Sequence, residues 1–286
     1  VVLRLLDRSR SLLPLGQMGL GDQEHDRLRH LIGSPYGLFI VSGPTGAGKT
    51  TTLYAALNAL DRTTRNITTI EDPVEYHFEN INQIQINRLA GMTFANGLRA
   101  ILWQDPDVVL IGEIRDVETA QIAVQSALTG HMVLSTVHTN DAPSTVNRLL
   151  DMGVEDYLLT STVVGILAQR LVRTLCSQCK ERYTALPEIV AQMNLARYTQ
   201  ERDITLWHAK GCSQCAQTGF IGRISILEMM PITDALRSLV MKHATATELR
   251  AEAIRGGMIP MYEDGMRKAL AGVTTFEEVL RATRED

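Results

Sequence analysis

The sequence is short of cysteine, of aromatic residues and of net positive charge, and each shortage narrows the function. Only four cysteines occur, all in two C-x-x-C pairs, Cys176/Cys179 and Cys212/Cys215. That arrangement points to metal ligation rather than a disulfide framework. The formal net charge of −4 argues against bulk electrostatic binding to nucleic acid, and 5% aromatics leaves little for a base-stacking groove. No apolar run reaches the length of a membrane span, and no secretory signal precedes the first strand. There is no internal repeat and no low-complexity tract. What is present, 286 residues with 45% hydrophobic and 21% charged, is near the globular average and enough for about two domains. The chain opens at Val1 inside an apolar run, Val1-Val2-Leu3-Arg4-Leu5-Leu6, as a fragment of a longer protein would.

The most informative stretch runs from Leu38 to Leu57. Leu38-Phe39-Ile40-Val41 reads as a buried strand, and Thr51 to Leu60 as a helix. Between them Gly43-Pro44-Thr45-Gly46-Ala47-Gly48-Lys49-Thr50 satisfies G-x-x-x-x-G-K-[ST] at every fixed position. Three glycines let the backbone curl so that consecutive N–H groups, with the positive helix end, face a phosphate. Lys49 supplies a cation for the β- and γ-phosphates, and Thr50 a hydroxyl for Mg²⁺. A nucleotide-binding loop makes the cytosol the expected compartment for the cysteines.

Other segments place acids and histidines at strand ends, where an open α/β sheet binds its ligand. Ile67–Ile70 is a short strand ending at Glu71-Asp72-Pro73-Val74-Glu75. Either Glu71 or Glu75 could orient an attacking water, or the stretch is a solvated acidic loop. Val108-Val109-Leu110-Ile111 delivers Glu113, a Walker B acid for Mg²⁺ if the run is not simply a buried strand with a surface Glu–Arg pair. Met132–Thr139 is a core strand whose polar end carries His138, a γ-phosphate ligand or a structural histidine; His131 precedes the strand and is the weaker candidate. Ile81–Asn87 reads as an exposed strand, Phe94–Trp103 and Glu118–Leu128 as helices, and 144–175 as two helices.

The two C-x-x-C knuckles suit tetrahedral Zn²⁺, with redox pairs or free thiols as the alternative. Between them the 32 residues of Lys180–Gly211 exceed zinc-ribbon spacing and are expected to form a small helical excursion. A strand over Ile224–Glu228 and a helical remainder follow, with Thr274-Thr275-Phe276-Glu277 similar to a capping box.

The segments GPTGAGKTTTLYAAL, TIEDPVEY, RAILWQDPDVVLIGEIRDVETAQIAVQSALTGH, VLSTVHTNDA and LAQRLVRTLC occur in that order. They resemble the type II secretion and type IV pilus assembly ATPases over nearly the whole chain. The paired C-x-x-C motifs look like the secretion and pilus-extension members, and LAQRLVRTLC before them looks most like the secretion member. The resemblance implies an α/β fold: a RecA-like P-loop ATPase core and a C-terminal, mainly helical domain carrying a tetracysteine zinc module. Residues 1–20 would close an N-terminal domain and linker, 21–174 form the motor domain, 175–223 the zinc module and 224–286 the helical region.

The resemblance further implies ATP, Mg²⁺ and Zn²⁺, a homo-hexamer, and peripheral docking on the cytoplasmic face of the inner membrane through N-terminal domains that meet platform proteins. Residue by residue, Glu75 matches the general base, Glu71 its partner and Glu113 the Walker B acid. His131 and His138 match two motif histidines, Thr51 lies in the nucleotide loop, and Arg4 matches an arginine that reaches the nucleotide. Asn96 and Trp103 stand where the family often has arginine, so contacts made by those arginines are in doubt. The alternatives are pilus extension, a nucleic-acid-dependent RecA-like translocase, and a nucleotide-switched scaffold without turnover.

Overall fold

A computed structural model describes residues 13–201 and 203–283. Arg4 and the expected opening strand lie outside the described residues. The strands are β1 (Gly37–Ser42), β2 (Ile67–Glu71), β3 (Asn82–Gln85), β4 (Val108–Ile111), β5 (Met132–Val137), β6 (Val163–Leu175), β7 (Lys180–Thr184), β8 (Thr205–Ala209) and β9 (Phe220–Pro231). Seven form one sheet in the order β3-β2-β4-β5-β1-β6-β9. Every neighbouring pair from β3 to β6 is parallel. All those strands therefore end at one edge, and the loops leaving it converge there.

β1, β2, β4 and β5 are buried at every position, as parallel strands covered on both faces must be. Their near-continuous Val, Ile and Leu follow from that demand, each large side chain contributing about 1.5–3 kcal/mol of burial. The helix Phe94–Leu102 lies close on β2 because Gly97 has no side chain; a Cβ there would fall 2.1 Å from Ile70 Cδ1. β3 sits at the sheet edge with no buried position, as its alternating Asn82-Gln83-Ile84-Gln85 implies.

The expected helices over 94–103 and 118–128 are Phe94–Leu102 and Val117–Leu128, and a further helix covers Asp22–Ile32. The second helix expected within 144–175 is corrected. Helices cover Ala142–Asp151 and Asp156–Thr162, but Val163–Leu175 is strand β6. Its Val163-Val164-Gly165-Ile166 start is β-branched and carries a helix-weakening glycine, and residues Val163–Ala168 pair with β1. The helical excursion expected over 180–211 is also corrected in part. β7 and β8 pair antiparallel at its base, with the short helix Pro187–Gln192 between them. Tyr183, Thr184, Thr205 and Trp207 are strand formers that favour this ladder.

The chain divides into two compact units, one of the described residues up to Ala168 with Met229–Met258, the other of Gln169–Glu228 with the described residues from Ile259. In the second, Lys180 Nζ lies 4.6 Å from the Trp207 ring centroid, and Gly272, at φ 67, passes so close to that ring that a Cβ would meet it at 2.7 Å. Thr275 caps the helix Phe276–Thr283 by accepting from Glu278 N–H at 3.3 Å. The Glu278 carboxylate bonds Arg173 and Arg281.

Candidate functional site

The phosphate-type loop leaves β1 at Ser42 and enters the helix Lys49–Ala59. Gly43, Gly46 and Gly48 have φ of 146°, 80° and 88°, values at which a side chain would be strained. That is the physical reason for glycine at these spacings. Thr45 and Gly46 are exposed at the loop tip, Pro44, Thr50 and Thr51 are half-buried, and Ala47 is buried. Nothing lies within 4 Å of where a Gly46 Cβ would be. N–H groups in the first helical turn have no intrahelical acceptor. An open, glycine-lined concavity at a helix N-terminus fits the phosphates of a nucleotide.

Lys49 folds back into the loop, its Nζ donating to Gly43 O at 2.7 Å and Pro44 O at 3.0 Å. Burial lowers its pKa, while Glu113 pulls it back up. Its third neighbour is His138 Nδ1 at 3.4 Å. The other ring nitrogen, Nε2, lies 3.5 Å from Glu113 Oε2, which also pairs with Arg115 Nε at 2.6 Å. Burial and then the Lys49 charge lower the His138 pKa. A neutral ring beside an ammonium presents Nδ1 as acceptor and carries its proton on Nε2, toward the carboxylate. Lys49, His138 and Glu113 thus form a chain across three strand ends.

The backbone around Glu113 is fixed by its neighbours. Gly112 N–H donates to Ile70 O at 2.8 Å and Ile114 N–H to Thr136 O at 2.9 Å. The Ser135 and Thr136 hydroxyls donate to Ile111 O and Gly112 O at 2.9 and 2.8 Å. Thr50 lies in the first turn of the loop's helix, so it and Glu113 are the hydroxyl and carboxylate suited to a hard cation such as Mg²⁺.

Glu71 is not in a solvated loop. It is 3% exposed, and its carboxylate accepts from Tyr54 Oη, from Thr69 Oγ1 at 2.5 Å and from Gln83 Nε2 at 3.2 Å. Burial, followed by the bond to Glu71, holds the Tyr54 phenol well above its ordinary pKa. Glu75 is half-buried, and its N–H donates to Tyr54 Oη at 3.2 Å. The helix that begins with Lys49 therefore reaches the acidic loop directly.

His131 lies at the other end of β5. Its backbone accepts from Gly37 N–H, at the start of β1, and its Nδ1 contacts Ser126 O at 2.9 Å and Thr129 Oγ1 at 3.2 Å. The length of a six-residue strand, about 20 Å, separates it from the edge that gathers Lys49, Glu113 and His138. Asn96 is exposed and bonds Gly91 O and Arg99 at 3.3 Å each, and Trp103 is 91% exposed.

In the second unit the four sulfurs gather within 4.8 Å of one another. Cys176–Cys212, Cys179–Cys215 and Cys212–Cys215 are 3.9, 3.8 and 3.7 Å apart. Zn–S bonds of about 2.3 Å in a tetrahedron set sulfur–sulfur edges of about 3.8 Å, so the donor set fits that metal. Burial pushes the Cys215 thiol up, but the N–H groups of Cys212 and Gly219, each 3.1 Å from its sulfur, favour the thiolate and bring the pKa down to about 6. Sequence reasoning missed Tyr54 and Gln83. The signal for Gln83 was a polar alternation in β3 with no function attached.

The family model described as Type II/IV secretion system protein matches residues 1–281. Type II secretion system protein E of Pseudomonas aeruginosa is 51% identical over 286 residues, which is 100% of this chain and 56% of that protein. The type IV pilus assembly ATPase PilB of Myxococcus xanthus is 48% identical over 286 residues, 100% of this chain and 50% of that one. The chain thus spans about half the length of the curated relatives it matches. A crystal structure of the pilus retraction motor PilT with bound ADP is similar at a TM-score of 0.71 and 26% identity, over 96% of this chain and 68% of that one.

Proposed function

Because the chain belongs to the Type II/IV secretion system protein family, we propose that it is the ATP-hydrolysing part of a motor that powers type II protein secretion. Its RecA-like core would drive pseudopilus assembly at the inner membrane, as a homo-hexamer docked on the cytoplasmic face through platform proteins. One observation carries the reading. Lys49, Glu113 and His138, from three distant stretches of sequence, meet beside a glycine loop at the C-terminal edge of a parallel sheet.

In this reading the loop amides and Lys49 bind the triphosphate. Thr50 and Glu113 hold Mg²⁺, which when bound neutralises phosphate charge. Glu75 orients the attacking water, and His138, neutral and donating from Nε2, links the Lys49 ammonium to Glu113. Cys176, Cys179, Cys212 and Cys215 hold Zn²⁺, which when bound cross-links the two knuckles. The test is steady-state phosphate release by Lys49→Ala and Glu113→Gln proteins. A fall of at least about 100-fold in both is expected from the loss of charge stabilisation, and parental rates in both would remove the assignment.

The type IV pilus extension reading is favoured by one finding, the 48% identity to PilB over the whole chain. Co-purification of secretion platform proteins, as opposed to pilus ones, separates the two.

A further inference from the structure

The acidic segment from Asp72 to Glu79 carries Glu75 but has no helix or strand. Half-buried backbone groups there still need partners. Side chains from two other elements supply them. Tyr54, 2% exposed, accepts from Glu75 N–H at 3.2 Å and donates to Glu71. Gln83, on edge strand β3, donates to Tyr76 O at 2.9 Å and to Glu71 at 3.2 Å, and accepts from Phe78 N–H at 2.8 Å. The Tyr54 ring stands edge-on to Phe78, with centroids 5.0 Å apart.

We infer that Tyr54, braced by Glu71 and assisted by Gln83, is a positioning residue that sets where Glu75 stands relative to the nucleotide loop. The inference rests on the role given to Glu75 in the proposed function. Tyr54 belongs to the helix whose first residue is Lys49, so a single rigid element places both the phosphate-binding cation and the backbone of the base. Glu71, with its carboxylate taken up by three donors, braces the phenol and leaves water activation to Glu75. Displacement of a reacting group by about 1 Å costs on the order of 100-fold in rate. The bond at 3.2 Å ties the Glu75 backbone to the helix against such a displacement.

The test uses Tyr54→Phe in the full-length protein, which keeps the ring against Phe78 and removes only the hydroxyl. The expected result is a kcat lowered by about 10- to 100-fold, with affinity for a non-hydrolysable Mg-ATP analogue within about twofold of the parent. Glu75→Gln alone and Tyr54→Phe/Glu75→Gln together are expected to turn over equally slowly, because a positioning effect disappears with the group it positions. Gln83→Met, at a half-exposed edge site, removes its bonds to Glu71, Tyr76 and Phe78; it is expected to lower kcat in the same way and covers the case in which Tyr54→Phe does not fold. An unchanged kcat in the folded single variants overturns the inference, as does a double variant slower than Glu75→Gln by the full Tyr54→Phe factor. Parental turnover in Glu75→Gln is a different failure, which removes the base assignment itself.

Discussion

Glu278 offers a quantitative test of how the second unit is held together. It is 3% exposed, accepts from Arg173 N–H at 3.0 Å and from the Arg173 guanidinium at 2.8 Å, and bonds Arg281 at 2.9 and 3.0 Å. Burial pushes its carboxyl upward, but the bonds from Arg281 and Arg173 outweigh it and bring the pKa down to about 2, from an ordinary 4.5. That difference corresponds to at most about 3 kcal/mol. Both arginines are more than half exposed, so solvent screening reduces the contribution to about 1–2 kcal/mol.

The sign follows from linkage. A depressed carboxyl pKa adds stability that is present above about pH 4.5 and lost as pH falls through about 2. Thermal melting of the parent and Glu278→Gln is compared at intervals from pH 7 to pH 2. Other carboxylates titrate in both proteins, so the difference between them isolates this one. At pH 7 the variant is expected to melt about 2–8 °C lower, and the gap should close toward pH 2. A gap that is the same at pH 7 and pH 2 refutes the electrostatic reasoning and leaves packing as its source.

Cys215→Ser in the purified protein is expected to lower bound zinc well below the parent's roughly one ion per chain, measured by elemental analysis, and to lower the melting temperature. A parent that holds no zinc as purified would sink this. Gly97→Val is expected to cost about 1–3 kcal/mol by overpacking against Ile70, read as a lower denaturation midpoint, and an unshifted midpoint would show that the helix Phe94–Leu102 can move off β2.

The phosphate loop was readable from sequence because its glycines answer a backbone requirement that no distant residue can meet. The cysteine cluster was readable for a similar reason: four soft ligands at knuckle spacing have few other uses. β6 was not, because Gln169 to Arg173 carries a helix-like charge spacing, while the strand state of its first half, Val163–Ala168, is set by pairing with β1, more than a hundred residues earlier. Glu71 and Glu75 looked alike in sequence. They differ because Tyr54, Thr69 and Gln83 converge on Glu71 from three elements, which only the fold brings together. His131 matched a family motif by identity, yet its place is at the start of β5, opposite the edge that gathers the other candidates. Asn87 and Thr93 cap a short turn and the start of the helix Phe94–Leu102, and neither was read as a cap from the sequence.

The pairing of β1 also bears on synthesis. Both of its neighbours, β5 and β6, lie downstream, the nearer one about 90 residues past its end. At about 5–20 residues per second of translation, the strand that carries the phosphate loop waits several seconds or more for its first partner. During that interval Leu38–Val41 is a bare apolar edge, the kind that chaperones shield and that aggregates. A chain cut before Val163 would keep one side of that strand open permanently, so nascent or truncated products should need holdase protection where the finished chain does not.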